Sequence, residues 1–557
     1  MRVHRRMEPK LPRRLLKTTL SLASAVSACV FGQDEDPPPE PLEELVFVDA
    51  HFDDLVGVDG IDGSYDMAIS PDGLFLYVAA MNDDAIAIFS RDSGTGELTF
   101  VTRIKNGEGV VEGLNGARSL FVSPDGAHLY VVSMFDDTLV SFERNQSTGG
   151  LAYLGRIKDG EVGVDGLDGA RSIAISPDGM NLYVACWADD ALALFSRDPS
   201  TGAVSFLGRL KHGEDGIFAL DGPHFITVSP DGENVYVALW DENAVSVYNR
   251  NTDRGILDYN SKVSNGETDV EGGTVIGLGG PRSLLVSPDG EQVYVVAWND
   301  DSLVTFDRDG TGALVYVAAL RSGIEGVEGL DGAHSVALSA DGKFAYVAAF
   351  FDDAISVFAR DTDTGALAYD QTIYDSEEGV EGLNGSLTLL ASPGGEHVYS
   401  SSTSEKSVVS FRRELLIDPP VFPVEPQSKS VPANSSVSFN ALAEGIDVVY
   451  QWRLNGVSIP GATNPVYTID PVDFALDQTV YSLEASNPGG SVVSSDAILT
   501  VLPEVVLETP EGLTAVTQSS STAIVRWVDR DDSETGFSIQ RKVAGETFET
   551  IRRRTWR

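Results

Sequence analysis

Cysteine is nearly absent: the 557 residues contain only Cys29 and Cys186. Two thiols rule out a disulfide framework and a four-thiolate zinc cage, leaving room for one bond at most. Positive charge is scarce as well, with 39 Lys and Arg against 84 Asp and Glu and a formal net charge of −45. Such a chain repels phosphate backbones and anionic lipid, so nucleic acid is excluded as a partner and a membrane would be reached only through a lipid anchor. There is no P-loop and no HExxH, and no Ser-His-Asp set has motif support. What is plentiful is apolar residues, 42% of the chain, and 55 glycines. The first allows a buried core, the second favours tight turns over long helices, and the length fits three to four domains at roughly 150 residues each.

The first 28 residues read as an export signal. Arg2, Arg5, Arg6, Lys10, Arg13, Arg14 and Lys17 stand against the single Glu8 and precede TTLSLASAVSACVF. A basic start, a short apolar stretch and small residues before a cut site describe a secretory signal, too short to span a bilayer. Val26-Ser27-Ala28-Cys29 resembles a bacterial lipobox, in which Cys29 is lipidated after cleavage; plain cleavage near Ala28 is the alternative. Residues 29–43, acidic and proline-rich, then form an extended tether. The expected location is therefore outside the cytoplasm: an outer-membrane or cell-surface lipoprotein, or a secreted protein.

A repeat organises the chain to residue 415. SPDG or a close variant begins at Ser70, Ser123, Ser176, Ser229, Ser287, Ser339 and Ser392, at spacings of 53, 53, 53, 58, 52 and 53. A fixed long period means a repeat architecture. Within residues 170–210 one unit reads as four short strands, ARSIAIS, NLYVACW, ALALFSRD and AVSFLGRL. Pro-Asp-Gly turns the chain between the first pair, and segments such as Arg197 to Gly202 turn it between the last pair. Four antiparallel strands repeated radially make a β-propeller blade. The seventh unit stops after its third strand, SVVSFRRE (407–414), while the folded chain opens on an unmatched strand, ELVFVDAHF (44–52). The expectation is a seven-bladed ring over 44–415, closed by that N-terminal strand on the last blade, which leaves no open edge at the seam.

The consensus SPDG..LYVA..DDA...F.RD..TG.L resembles the seven-bladed lactonase-type propellers, which include bacterial 6-phosphogluconolactonase, a carboxy-muconate lactonising enzyme and secreted YVTN-repeat proteins. The resemblance spans about residues 44–415 and implies the fold more strongly than an activity.

Two constellations sit on the loops of one face. Acidic, glycine-rich loops such as 158–169 and 322–332 place Asp165, Asp168, Glu328 and Asp331 where Ca²⁺ would be held, although the spacing is not that of the twelve-residue calcium loop. The favoured reading is structural, since Asp and Asn beside Gly accept backbone bonds in turns; Ca²⁺ is the one cofactor considered and none is required. At the mouth of the central channel, five residues before each SPDG serine, stand Tyr65, Arg118, Arg171, His224, Arg282, His334 and Leu387. Sixteen residues later come Met81, Met134, Trp187, Trp240, Trp298, Phe350 and Thr403. Arg118, Arg171, His224, Arg282 and His334 walled by Trp187, Trp240 and Trp298 would bind a small anionic or carbohydrate ligand. Alternatively, the basic groups pair with loop carboxylates and the rings cap blade packing. Cys186 takes a small core position.

The lactonising relatives carry GPRH at a first strand and Asn-Glu at the end of the second. Gly280-Pro281-Arg282 and Gly222-Pro223-His224 match halves of that opening, but the glutamate falls at Trp298 or Trp240. Asp300 or Asp241 replaces it only by a shift of register.

The remainder is modular: a proline-rich linker, 416–426, then 420–503, which resembles an immunoglobulin-like domain. Trp452 takes the place of the strand-C tryptophan and Tyr481 that of the tyrosine corner, with Ala441 and Leu483 at the two cysteine positions. Residues 508–557 resemble an incomplete fibronectin type III domain. The class is all-β: a closed seven-bladed propeller, an immunoglobulin-like β-sandwich and a truncated fibronectin-III-like segment. The leading expectation is a surface platform binding a small ligand or a surface protein partner. The alternative is a lactonase acting on a sugar-acid lactone, with His224, Arg282 or His334 as the catalytic candidates.

Overall fold

The computed structural model describes residues 42–503, apart from 162, 215, 270, 271 and 378, and the strands 511–519, 522–528, 536–541 and 549–555. The signal 1–28 and Cys29 lie outside the described residues, as does nearly all of the tether. Among the described residues no helix is long and apolar enough to cross a membrane. Residues 41–417 form one compact unit, and the chain from 418 belongs to another.

The first unit consists of seven four-stranded antiparallel sheets, each in sequential strand order except the last. Blade 3 is typical, with strands Ala170–Ile175, Asn181–Cys186, Ala191–Arg197 and Val204–Lys211. Its second strand, NLYVAC, is buried throughout, because both faces of a blade are covered by neighbouring blades. The core therefore lies between blades: Tyr130 and Leu139 of blade 2 pack with Ile173, Leu182 and Phe195 of blade 3. A single blade cannot bury its own faces, so stability comes from stacking round the ring. Cys186 is fully buried, as expected of a small core residue.

The ring closes as the unmatched strands imply. Leu42–Phe52 pairs antiparallel with Ser407–Leu416 and completes the sheet that contains Ser386–Ala391 and His397–Ser402. Strict alternation would turn Asp49 toward the apolar face beside Leu45 and Phe47. A bulge between Phe47 and Asp49 breaks that period, so Ala50 packs with Leu45 and Phe47 while Asp49 bonds the Ser410 hydroxyl.

Blades are also pinned to one another by buried arginines. Arg250, at the end of the third strand of blade 4, donates Nε to the Tyr183 hydroxyl at 2.9 Å and Nη1 to the Gly232 carbonyl at 3.1 Å. Its Nη2 reaches Asp178 at 2.6 Å and Asn181 at 2.7 Å, both on blade 3. The aspartate of SPDG thus anchors the next blade as well as turning its own. Arg144, Arg197, Arg308 and Arg360 repeat the arrangement on Asp72, Asp125, Asp231 and Asp289. At the seam the motif reads SPGG, and Arg91 meets Tyr399 and His397, with no carboxylate bonded to it among the described residues.

In the second unit, ladders including 449–454, 479–487 and 497–502 face the pair 437–440 and 466–469 across one core. Trp452, Tyr481, Ala441 and Leu483 are all buried in it, and Phe439 stacks on Tyr481 at 4.6 Å. Beyond it, Glu511–Ser519 pairs with Thr522–Val528 and Gly536–Arg541 with Glu549–Thr555.

Candidate functional site

Each blade delivers its channel-mouth residue by the same device. The first strand pairs with the second in register except for one skipped residue, and that residue is Tyr65, Arg118, Arg171, His224, Arg282, His334 or Leu387. A bulged residue is released from the ladder and its side chain re-aimed. Here the bulges aim Tyr65, Arg118, Arg171, His224, Arg282 and His334 at one small cavity of about 40 Å³ on the ring axis.

The cluster is held together chiefly by aromatic rings. Arg282 lies between two indoles, 4.1 Å from Trp240 and 4.7 Å from Trp298, Arg171 lies 4.3 Å over Trp187, and Arg118 lies 4.5 Å over Tyr65. The rings are therefore guanidinium clamps, not the free walls expected from the sequence. Nor do the basic groups pair with the acidic loops: among the described residues no carboxylate forms an ion pair with Arg118, Arg171 or Arg282, and the buried Nε atoms of Arg171 and Arg282 have no partner. Cation–π contact stands where a salt bridge would, and the nearby buried carboxyl of Asp66 offsets the charge of Arg118 only in part, so the cluster keeps a net positive charge. Burial, then the charge of Arg118, brings Arg171 down to about 9 and Arg282 to about 10, while burial lowers Arg118 as well.

The histidines divide. His224 Nδ1 lies 3.1 Å from the Arg282 carbonyl, which only accepts, so Nδ1 carries the proton and Nε2 accepts from Arg282 Nη1 at 2.9 Å. Its lone pair is occupied. His334 Nδ1 donates to the Leu387 carbonyl at 2.8 Å, which leaves its bare Nε2 to the cavity. Burial, followed by the arginine charges, holds both imidazoles well below their ordinary value. Both are neutral at pH 7. Asp66, which sequence reasoning missed, sits one residue past Tyr65 and accepts from Ser119 Oγ at 2.8 Å and Leu120 N at 3.1 Å. Burial pushes its carboxyl up to about 6.

The acids offered as replacements for the relatives' glutamate lie elsewhere. Asp300 accepts from Gly279 N at 2.8 Å and ties a loop, and Asp241 accepts from Trp187 Nε1 at 3.1 Å on the rim. The Asp-Asp pairs are likewise loop clamps: the second residue of each has φ near +50°, and its carboxylate takes an amide of the next blade, as Asp137 takes Gly169 N at 3.0 Å. Of the calcium candidates, Asp165 gathers with Asp159 and Asp189 but is ion-paired to Arg209 at 2.8 Å. Asp168 donates its amide to Asp189, Asp331 donates its amide to Asp352, and the Glu328 carbonyl accepts from Ser356; among the described residues these three join no three-ligand group.

The family described as "Lactonase, 7-bladed beta-propeller" matches residues 41–155, 105–272 and 267–415. A 6-phosphogluconolactonase of Bacillus subtilis is 33% identical over 125 residues, 22% of this chain and 33% of that protein. An uncharacterised Lactococcus lactis protein is 26% identical over 183 residues, 32% of this chain and 52% of its own length. The chain thus spans about half or less of the curated relatives it matches. Among solved structures, a periplasmic gluconolactonase of Pseudomonas aeruginosa aligns at 18% identity with TM-score 0.45, over 74% of this chain and 95% of that one.

Proposed function

The chain belongs to the lactonase family of seven-bladed β-propellers, and from that premise we propose that its channel mouth hydrolyses a lactone carrying an anionic group. One observation carries the reading: three guanidiniums without carboxylate partners face a neutral imidazole with a free Nε2. The arginines take the substrate's carboxylate or phosphate. His334 Nε2 accepts a proton from water as its oxygen attacks the lactone carbonyl carbon, and Arg282 faces the developing oxyanion. The ring C–O bond then breaks, and the departing oxygen takes the proton back from His334 to give the hydroxy acid. A bound anion also offsets the arginine field on His334, making it a better base once substrate is present. The route calls for no cofactor, and the relative named 6-phosphogluconolactonase supports it.

The experiment is hydrolysis of 6-phosphogluconolactone and of unphosphorylated gluconolactone by the full chain. His334→Ala is expected to cut kcat by roughly 10²–10⁴-fold. Arg171→Ala is expected to raise KM for the phosphorylated substrate more than for the plain one. Because His334 of the free site is held below its ordinary value, kcat/KM stays flat from pH 8 to 7; because Arg171 titrates at about 9, KM rises above that pH. No turnover of either lactone removes the reading. A non-catalytic binding platform is then favoured by Trp240 and Trp298, which clamp Arg282 where the lactonising relatives carry glutamate.

The setting belongs to the same proposal. The signal-like 1–28 and the lipobox-like residues before Cys29 support export and anchoring at the cell surface, with an immunoglobulin-like module over 420–503 as spacer. Unchanged membrane fractionation of Cys29→Ala, without acyl label in the parent, would remove the anchor.

A further inference from the structure

Below the arginines the channel changes character. One residue past the bulges the first strands carry a tier that is polar except at Phe225 and includes Ser119, Ser172 and Ser283. Further along the same strands, Ala68, Phe121, Thr227 and Leu285 line a second cavity of about 280 Å³. Asp66, Ser119, Ser172 and Phe225 border both spaces, so the cationic neck and the larger cavity lie against each other along the first strands. At 37% exposed, Phe121 leaves part of an aromatic ring uncovered.

The two volumes set the shape of an occupant. The neck, about 40 Å³, holds roughly three water-sized spheres at 10–15 Å³ each, which suits a carboxylate. On the same measure the larger cavity takes a chain of about eight carbons with space to spare. A head group alone would leave the apolar wall wet, and a tail alone would leave three buried guanidiniums with only Asp66 to offset them. We propose that the channel binds an amphiphilic carboxylate, with its head on Arg118, Arg171 and Arg282 and an unbranched aliphatic tail running past Phe121 and Thr227. The proposal rests on the anion-binding half of the lactonase reading and needs none of its catalysis.

Isothermal titration of the full chain with sodium acetate, sodium octanoate and 1-octanol tests it. Each buried methylene is worth about fourfold in affinity, so octanoate should bind at least a hundredfold tighter than acetate even if only part of the tail is covered. Octanol should bind at least tenfold more weakly than octanoate. Thr227→Phe, which narrows the tunnel and leaves the arginines untouched, should bring octanoate to within a few-fold of acetate without changing acetate itself. Octanoate binding within threefold of acetate overturns the inference, and so does octanol binding as tightly as octanoate; neither comparison needs a variant. If no anion binds while a lactone is hydrolysed, this inference fails and the catalytic reading survives. If octanoate binds as expected and no lactone is turned over, the inference stands without it.

Discussion

Replacing Arg250 by methionine keeps the length and apolar stem of the side chain and removes only the guanidinium that joins blade 4 to blade 3. Arg250 is 1% exposed at its side chain, whereas its carboxylate partner Asp178 is 39% exposed. Breaking a buried ion pair costs about 3–5 kcal/mol, chiefly because a charge is left dry. Asp178 would not be left dry: water reaches it, and it keeps the Ser176 hydroxyl at 2.5 Å and the Met180 amide at 2.9 Å. The loss falls instead on the Gly232 carbonyl, the Asn181 amide oxygen and the Tyr183 hydroxyl, of which Tyr183 still donates to the Gly255 carbonyl at 3.0 Å. The low end of the range, about 3 kcal/mol, is therefore expected for Arg250→Met. For Asp178→Asn about 1 kcal/mol is expected, since the ion pair itself is screened. The seam supplies the control, because Arg91 makes the same tyrosine and carbonyl bonds with no carboxylate bonded to it among the described residues. Arg91→Met should cost about as much as Arg250→Met. Urea unfolding of the full chain, read at the propeller transition, measures all three. If Asp178→Asn matched Arg250→Met, or Arg91→Met were nearly silent, the carboxylate and not the buried polar grid would hold the blades together.

Two further expectations follow from the same architecture. Burial alone would raise the SPDG aspartates, but serine hydroxyls, turn amides and the neighbouring blade's arginines hold Asp72, Asp178, Asp231, Asp289 and Asp341 below the carboxylate range, and Asp125 at about 2. A depressed carboxyl contributes stability above its unfolded value near 4 and loses it as pH falls, so melting temperature should hold down to about pH 4 and then drop steeply toward pH 2; a flat profile over that interval would contradict the assignment. Deleting 42–52 exposes the strand Ser407–Leu416 along its whole length and uncovers the face that Leu45, Phe47 and Ala50 protect. Each of the two large side chains is worth about 2 kcal/mol before the lost ladder is counted, so the loss approaches the whole stability of a domain, and a variant that melts within a degree or two of the parent would show that the ring closes some other way.

The repeat and its closure were legible because both depend on spacing. Seven SPDG-like turns, a seventh unit one strand short and an unmatched strand at the start admit one economical ring. The bulge at each first strand was not legible, since it falls on Arg, His, Tyr or Leu, and the glycine two residues before it reads as an ordinary loop position. Counting offsets placed Arg282 and Trp298 on the same rim, yet an offset cannot tell which way a re-aimed side chain leans. Arg282 leans between its own blade's Trp298 and the preceding blade's Trp240, and that turns an expected ligand wall into the clamp that keeps its charge free. A similar limit hid the second role of SPDG. Asp178 and Arg250 lie 72 residues apart, one repeat plus the 19 residues from the turn to the RD segment, so the periodicity held the signal all along. It was missed because a proline-aspartate-glycine turn is already explained by local backbone preference, and a residue that satisfies one rule gives no hint that it also satisfies another. The channel mouth differs in the opposite sense. There three arginines meet around the single nearby carboxyl of Asp66, with no ion pair among the described residues; no local rule accounts for them, and the departure from ordinary charge pairing is what points to a ligand.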